Sequence, residues 1–414
     1  MLGGRTRLAR EAGRAATRAP PRPPRGPRTQ PARSRSGLRP PRALPPQPAG
    51  LLPPARGRGR RPHPPPGGTA HAAPRRVRQT PTGAPPVRRI AYSMEPVGRT
   101  GGRAYLRMLH EVTSAEVEWR TVPDHKRTYR VRRWRKLRHL TRLAPTVRAL
   151  DAAPGVFVWD DLSLLLFTPR MRARTVFVLH HYEPLQHDSA PVEALLWERL
   201  FGMLPQCAAV VCVAPYWADF LRARGVGDVR VIHNAFDMTE IDRARAADRA
   251  ACRAEFGLPP DTLAVYGGKA VHWKGADEVA GALAGVPGVW LITSGSNTIR
   301  LDSAHYDIER ARYLRLLRAC DVGVFAPRMR EGWSRCAAEA LLLGLPCLIR
   351  PVAGLGDLAT LTGQPSPDLG RLAAQVRERA DAPDGEAKAA YEALARFDRP
   401  YFAAAWSDLL AKTG

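Results

Sequence analysis

The chain has 414 residues, of which 64 are Lys or Arg and 38 are Asp or Glu, so its formal net charge is +26. Residues 1–88 contain 20 Arg, no Lys, one acidic residue and 21 of the 40 prolines, whereas the remainder has a net charge of only +7. No run of about 18 uncharged apolar residues occurs, which excludes a transmembrane helix.

Residues 1–87 are predicted to be a disordered arm, because Pro, Arg, Gly and Ala alternate there and apolar residues are few. Such an arm is a polycation for nucleic acid or anionic lipid, a tail without a specific role, or a mis-annotated start. The absence of lysine favours the mis-annotated start, since GC-rich DNA translates into these residue types. No secretory signal is expected, because Arg or Pro interrupts each short apolar stretch.

A first set of strands and helices is predicted over residues 88–237, where short apolar runs alternate with helical stretches. The predicted strands are Arg89–Met94, Val117–Val122, Val156–Trp159, Thr175–His180, Ala209–Val213 and Val229–His233. The predicted helices are Gly102–Val112, Arg130–Leu150, Pro191–Leu204 and Tyr216–Arg224.

A second set is predicted over residues 238–397, after a polar, charged stretch at Asp237–Asp261. Its strands are Leu263–Gly267, Val289–Thr293, Val322–Phe325 and Pro346–Ile349, and its helices are Ala276–Leu283, Ile308–Cys320 and Ser334–Leu343. Alternation of continuous apolar strands with helices predicts an α/β fold with two doubly wound, Rossmann-like domains that face a cleft. In such sheets ligands bind at the C-terminal ends of the strands.

The six cysteines include no Cys-x-x-Cys pair, and most of them lie in apolar runs. A cysteine in that setting acts as a small apolar residue. The pattern therefore predicts a reduced, cytoplasmic chain without a zinc site.

The strongest functional signal is the segment Arg330–Pro346, where a strand is followed by a loop and a helix. Glu331 lies on the loop and Glu339 about two turns into the helix, which places both carboxylates on one broad face. Gly332 permits close approach to the backbone, and the N-terminus of the helix suits an anionic or polyhydroxylated ligand. The alternative is an ordinary βα unit with two surface glutamates.

This segment resembles glycosyltransferase family 4, a GT-B family with Glu-Gly-Phe-Gly in the loop, a second glutamate at the same spacing and then Gly-x-Pro-Val. The matching residues here are Glu331-Gly332-Trp333-Ser334, Glu339 and Gly344-Leu345-Pro346-Cys347. The resemblance implies a retaining enzyme with a nucleotide-diphosphate-sugar donor, in which Glu331 contacts the donor sugar and Glu339 the donor ribose. It also implies that a C-terminal helix, within residues 398–414, returns to the first domain.

A second segment contains Gly267, Gly268 and Lys269 after a predicted strand, with Lys274 five residues later. Glycines permit close backbone approach and lysines neutralise phosphate oxygens, although such a loop is equally a solvated turn. The segment resembles the Gly-Arg-x4-Lys-Gly loop that grips the donor diphosphate in the family, with Lys269 in place of the arginine. The resemblance implies that both lysines stabilise the departing diphosphate, and no metal or other cofactor is expected.

Weaker signals complete the predicted donor site. Asn234 lies in a segment similar to the family's Ile-Pro-Asn-Gly-Val-Asp, and Gly101 and Gly102 lie in a glycine-rich loop after the first strand. Ser294 lies where the family has a Gly-x-Gly loop. Each of these residues is also explained by a plain turn or strand end.

His180 is the candidate catalytic residue of the first domain, since the family often places a histidine at this strand end, near the reacting sugar. An imidazole donates to a hydroxyl or helps a proton leave the acceptor, whereas a structural histidine is the alternative. Asp160 and Asp161 resemble a metal-binding pair at first sight, but a strand-end turn and helix cap is the favoured interpretation.

Residues 130–142 contain seven Lys or Arg, with Trp134, Leu137 and Leu140 on one face of the predicted helix. This helix either contacts an anionic membrane surface or packs its apolar residues on the core. The expected location is cytoplasmic, with peripheral contact at the inner face of the cell membrane as the open alternative.

The predicted function is transfer of a sugar to a hydroxyl of a glycan, a lipid-linked acceptor or a small molecule. One alternative is a degenerate, non-catalytic protein that binds a nucleotide-sugar or a partner, because segment 298–320 is shorter than the family's strand and loop around the nucleobase. The other is nucleic-acid binding through the arm. No specific nucleic-acid partner is expected, since residues 89–414 contain no helix-turn-helix, RNA-recognition or zinc signature.

Overall fold

The computed structural model describes residues 88–98, 100–124, 135–183 and 190–413. The predicted arm, residues 1–87, lies outside the described residues. The described residues belong to one compact unit, within which the described strands make two parallel sheets. The predicted domain boundary at residue 237 stays a prediction.

Within the described residues the first sheet consists of six short strands, of which the third, fourth and fifth along the chain are the most apolar and the most deeply buried. They are β1 (Arg89–Met94), β2 (Val117–Val122), β3 (Val156–Trp159), β4 (Thr175–Leu179), β5 (Ala209–Cys212) and β6 (Val229–Val231). Their spatial order is β2-β1-β3-β4-β5-β6, and all pairs are parallel. Because β3, β4 and β5 are buried at every position, both faces of this sheet are covered.

Helices connect these strands, as the alternation predicts. They are α1 (Gly101–Thr113), α2 (Arg135–Ala149), α3 (Pro169–Arg172), α4 (Ala190–Phe201) and α5 (Pro215–Arg222). Thr100 caps α1 by accepting a hydrogen bond from the Arg103 amide. A 3-10 turn at Leu162–Leu166 follows β3 and is capped by Asp161, which accepts from the Ser163 amide at 2.8 Å, as the cap interpretation of this residue expects.

The second sheet contains β7 (Leu263–Tyr266), β8 (Val289–Ser294), β9 (Ala304–Tyr306), β10 (Val322–Phe325) and β11 (Cys347–Ile349), in the order β11-β10-β7-β8-β9. The helices of this half are α6 (Met238–Arg245), α7 (Arg249–Glu255), α8 (Ala276–Leu283), α9 (Arg310–Ala319), α10 (Arg335–Leu342), α11 (Gly354–Thr362), α12 (Leu372–Ala380) and α13 (Asp384–Ala395).

Three segments of the second half differ from the sequence prediction. Residues 350–397 contain α11, α12 and α13, none of which was predicted. The polar stretch Asp237–Asp261 contains α6 and α7, each capped by an aspartate at its N-terminus and anchored by a buried residue, Ile241 or Cys252. The segment 298–320 contains β9, a three-residue strand whose side chains are half-buried. None of α6, α7 and β9 has the long apolar pattern that makes a sequence prediction secure.

The last helix, α14 (Arg399–Thr413), packs against α1 of the first domain, as the resemblance implies. The Trp406 indole N–H donates to the Tyr105 hydroxyl at 3.2 Å, and the Phe402 and Tyr105 rings pack edge to face with centroids 4.8 Å apart. Residues from the two ends of the folded chain therefore share one core.

The basic segment 130–142 is only partly described, because residues 130–134, including Trp134, lie outside the described residues. In α2, Leu140 is buried in the core, whereas Leu137 is 49% exposed and Arg138 and Arg142 are exposed. Leu140 therefore does not belong to a membrane-facing surface. Among the helices that the structure describes, none has the length and apolarity needed to cross a membrane.

Candidate active site

The predicted diphosphate loop follows β7 and crosses the carboxyl end of β10. Gly275 makes this crossing possible, because its φ is +70° and a β-carbon there would lie 1.9 Å from the Ala326 carbonyl oxygen. The crossing brings the Lys274 ammonium onto Oε1 of Glu331, with which it forms an ion pair. The two residues predicted for the donor diphosphate and the donor sugar thus contact each other.

Lys269 lies beside Lys274 in the same loop. Partial burial and then the positive charge of Lys274 lower the pKa of Lys269. No carboxylate among the described residues forms an ion pair with Lys269. The Asp307 carboxylate attracts Lys269 but does not outweigh burial and Lys274. A bound anion would favour the charged form of this lysine.

The Glu331 loop rests directly on the first domain. The Trp217 indole N–H donates to the Glu331 carbonyl at 2.9 Å. A β-carbon at Gly332 would lie 2.2 Å from the carbonyl oxygen of His180, so only glycine permits this approach. The loop after β10 and the end of β4 therefore meet at one place.

Glu339 lies on α10 and is almost completely buried. Its Oε1 accepts hydrogen bonds from Arg310 at 2.6 Å and from Arg335 at 2.7 Å. Burial would lower the pKa of Arg310, but the Glu339 and Glu240 carboxylates outweigh burial and raise it. No described residue hydrogen-bonds to Oε2 of Glu339.

His180 directly follows β4 and lies next to Gly102 and Asp160. A β-carbon at Gly102 would lie 2.9 Å from His180 Cδ2, so α1 begins against the imidazole. His180 Nε2 lies 3.7 Å from Oδ2 of Asp160. Burial would raise the pKa of Asp160, but His180 and Arg103 outweigh burial and lower it, which keeps this carboxyl ionised beside the imidazole.

A cavity of about 190 Å³ opens at the carboxyl ends of β3 and β4. The apolar side chains of its wall are those of Leu140, Leu162, Leu179 and Trp197. The titratable side chains are those of His139, Asp160, Asp161, His180 and His181. His139 is buried, with Nε2 3.4 Å from Oδ2 of Asp161. Most of the wall is apolar, and a few polar groups, among them His180, lie within it, as is usual for a small-molecule site.

The remaining predicted residues shape loops or link the two halves. The buried Asn234 amide donates to the Trp333 carbonyl at 2.7 Å, and the Ser294 hydroxyl hydrogen-bonds to the Tyr266 hydroxyl at 2.7 Å. Gly268 has a φ of +74° and accepts from the Ser294 amide. Gly267 packs against Leu291 of β8, and Gly101 is the first residue of α1. In this structure Asn234 and Ser294 use their side chains on protein partners.

The sequence interpretation missed three residues of the site: Arg310, Arg335 and Cys336. The arginines hold Glu339 in place, and Cys336, in the first turn of α10, is exposed among Lys274, Glu331 and Glu339. Arg335 and Cys336 lie inside the segment that resembles the family, but neither residue type is part of the family's pattern. Arg310 lies outside that segment, so no spacing marked it.

Comparison with known proteins supports the prediction that the chain is a glycosyltransferase. The sequence model described as Glycosyltransferase Family 4 matches residues 99–240, which confirms the resemblance. No curated protein matches the sequence.

Among solved structures, sucrose-phosphate synthase from Thermosynechococcus elongatus aligns over 78% of this chain and 99% of its own, with 18% identity and a TM-score of 0.63. HepE from Anabaena, in complex with UDP and glucose, aligns over 78% and 99%, with 16% identity and a TM-score of 0.57. A glycosyltransferase from Rickettsia africae aligns over 79% and 99%, with 11% identity and a TM-score of 0.55. At these identities the likeness concerns the fold, and it confirms the predicted GT-B architecture.

Proposed function

We propose that this chain, a GT-B protein with confirmed likeness to glycosyltransferase family 4, transfers a sugar from a nucleotide-diphosphate donor to an acceptor hydroxyl with retention of configuration. The observation that supports this most strongly is the convergence of Lys269, Lys274 and Glu331 at the carboxyl edge of the second sheet. This edge is where parallel sheets bind ligands, and the charges fit a diphosphate beside a sugar.

In the proposed reaction the bond between the anomeric carbon and the diphosphate breaks as the acceptor oxygen attacks from the same face, and the proton of the acceptor hydroxyl passes to an oxygen of the departing diphosphate. Lys269, Lys274 and the N-terminus of α10 stabilise the negative charge that develops on the departing diphosphate. Glu331 holds the donor sugar, and Oε2 of Glu339 accepts from the ribose. Retention follows from departure and attack on one face.

The acceptor is proposed to bind in the cavity beside His180. That cavity lies at the carboxyl edge of the first sheet, and Gly332 brings the Glu331 loop against the same histidine. His180 would hydrogen-bond to a hydroxyl at the reacting centre. The acceptor class stays open between a glycan, a lipid-linked sugar and a small molecule.

A lipid-linked acceptor would bring the enzyme to a membrane surface. The described part of the basic segment offers Leu137, Arg138 and Arg142 as exposed residues for such a contact. Binding of the chain to vesicles that contain anionic lipid, compared with neutral vesicles, tests this part of the proposal. Equal binding to both would count against it.

UDP-glucose is the first donor to test, because HepE binds UDP and glucose in the same fold. The experiment measures donor binding and donor hydrolysis by the wild type, by Lys274→Ala and by Glu331→Ala. Each variant should lose about 100-fold or more in turnover. Lys388→Ala is the matched control, because Lys388 is an exposed lysine on α13.

A wild type that binds UDP-, GDP- and ADP-sugars without turning any of them over would favour the non-catalytic alternative. A wild type that binds none of them would contradict both interpretations. Because lysines are proposed to neutralise the diphosphate, no cofactor is proposed, and transfer is expected to persist in EDTA.

A further inference from the structure

A second cavity, of about 180 Å³, lies at the opposite edge of the second sheet from the proposed donor site. Its wall includes Asp321 and Pro346, which immediately precede β10 and β11, and Gly344, which follows α10. Because the strands are parallel, this is the amino edge of the sheet. The cavity is therefore separate from the loops that contain Lys274 and Glu331.

Three arginines line this cavity, Arg249, Arg318 and Arg379, and we call it the arginine cavity. Two of them have protein partners. Arg249 pairs with Asp321, and Arg379 pairs with Glu386 and donates to Gln364 Oε1 at 2.9 Å.

The carboxylates that line the cavity either form ion pairs with arginines other than Arg318 or are exposed to solvent. Asp321 also pairs with Arg253 at 2.8 Å and accepts a hydrogen bond from the Ala264 amide. Glu386 is engaged by Arg379. Asp384 is exposed, where water and salt screen its charge.

Arg318 is different, since its guanidinium forms no hydrogen bond or ion pair with any residue that the structure describes. Its Nε is buried. Burial and then the positive charges of Arg249 and Arg245 lower the pKa of Arg318. The Asp248 carboxylate attracts Arg318 without forming an ion pair with it, and does not outweigh these effects. A guanidinium that is partly desolvated, repelled by its neighbours and not paired with a carboxylate is a typical receptor for an anion.

We propose that the arginine cavity binds a phosphate dianion, either free or as the phosphate group of a small metabolite. The planar guanidinium of Arg318 would bind two phosphate oxygens, and Arg249 would contribute long-range attraction. The cavity is small, so the phosphate group itself provides most of the recognition. This proposal does not depend on the donor assignment.

The test uses the full chain as the Lys269→Ala/Lys274→Ala variant, so that phosphate cannot be held by the lysines of the donor site. Calorimetric titration with inorganic phosphate and, separately, with glycerol 3-phosphate should show one saturable site at constant ionic strength. Tighter binding of glycerol 3-phosphate would identify a phosphate monoester as the ligand, and the reverse order would identify free phosphate.

Adding Arg318→Gln should weaken binding at least 10-fold, whereas adding Arg312→Gln should not. Arg312 is the matched control, since it is an exposed arginine on the same helix that pairs with Glu255. Because Arg318→Gln also removes repulsion, the melting temperature without phosphate should stay equal or rise, which shows that the variant folds. Absence of saturable binding, or equal binding by the Arg318→Gln variant, would overturn the proposal.

Discussion

Lys274 and Glu331, 57 residues apart in the sequence, form an ion pair between the loops that follow β7 and β10. Glu331 is the more buried partner, with a side chain that is 9% exposed, compared with 31% for Lys274. The side chain proposed to contact the donor sugar, Glu331, and the one proposed to contact the diphosphate, Lys274, therefore hold each other in position. A bound diphosphate would share the lysine with the carboxylate.

This pair predicts a coupling in stability that is separate from activity. Lys274→Ala should lower the free energy of unfolding by about 1–3 kcal/mol, because it leaves a buried carboxylate without its cation. The double variant Lys274→Ala/Glu331→Ala should lose less than the sum of the two single variants, with a coupling of about 1 kcal/mol. Urea unfolding of the four proteins measures this. Strict additivity would mean that the ion pair does not hold the two loops together.

Because Gly332 contacts His180, we expect that even the methyl side chain of alanine is not tolerated at position 332. Gly332→Ala places a methyl group 2.2 Å from the His180 carbonyl oxygen, so the Glu331 loop and the first domain must move apart. We expect a loss of about 2 kcal/mol or more in the free energy of unfolding, with loss of donor turnover.

Gly281→Ala is the matched control for this change, because it lies on α8 and a β-carbon there meets nothing within 4 Å. This control should be neutral or slightly stabilising, since alanine favours a helix. A Gly332→Ala protein as stable and active as the control would show that the loop does not need its contact with His180.

Sequence reasoning located the strands well because their residues face helices on both sides. Val156–Trp159 and Val322–Phe325 are buried at every position, and such continuous apolar runs leave little choice of structure. α6 and β9 were missed for the opposite reason. Each is short, and half-exposed or polar residues make up much of it, so that packing decides its structure and not its own pattern.

Part of the candidate site could likewise be predicted from the sequence. Lys274, Glu331 and Glu339 follow spacings that the chain shares with a family, so their proximity could be expected. The hydrogen bonds of Asn234 and Ser294 to Trp333 and Tyr266 depend on how the loops cross in space. Spacing along the chain contains no information about such partners.

Arg310 is predicted to orient Glu339 for the donor ribose. The guanidinium binds Oε1, which leaves Oε2 for the ligand. Arg310→Gln should therefore raise the dissociation constant for UDP-glucose about 3- to 10-fold, and Glu339→Gln should raise it further, because a charge-assisted hydrogen bond to the ribose is lost. Calorimetry measures both constants, and Arg312→Gln serves as the control. A gain in affinity on removing Arg310 would mean that this arginine closes the ribose site instead.

Cys336 provides a chemical probe of the donor site. It is the exposed cysteine of the six, and it lies among Lys274, Glu331 and Glu339. Iodoacetamide should label it first, and saturating UDP-glucose should slow this labelling at least 5-fold by covering the thiol. Mass spectrometry of the labelled peptide follows the rate, and Cys336→Ser shows the background. Labelling at the same rate with and without donor would place the donor elsewhere.

His233 predicts a dependence of stability on pH. The imidazole packs against the Trp333 and Phe397 rings, with centroids 4.2 and 4.6 Å away, and its Nδ1–H donates to the Val213 carbonyl. Burial lowers the pKa of His233 to about 4. The unfolded chain has an ordinary histidine pKa of about 6.5, so between these two values the unfolded state binds more protons than the folded state.

The stability that the neutral imidazole contributes is therefore complete above about pH 6.5 and is lost as the pH falls toward 4. After allowance for partial exposure, we expect His233 to account for about 2 kcal/mol of this loss. Burial also lowers the pKa of His110 to about 4, so the wild type should lose more than His233 alone explains.

His233→Gln isolates the contribution of His233, because the glutamine amide has an N–H for the Val213 carbonyl but does not titrate. The free energy of unfolding, measured at pH 7 and at pH 4.5, should fall by about 2 kcal/mol less in this variant than in the wild type. His110→Gln should reduce the slope independently, because that residue lies on α1 and stacks on Trp119, away from the domain junction. Equal pH slopes in the wild type and in His233→Gln would mean that this imidazole titrates in the folded protein as it does in water.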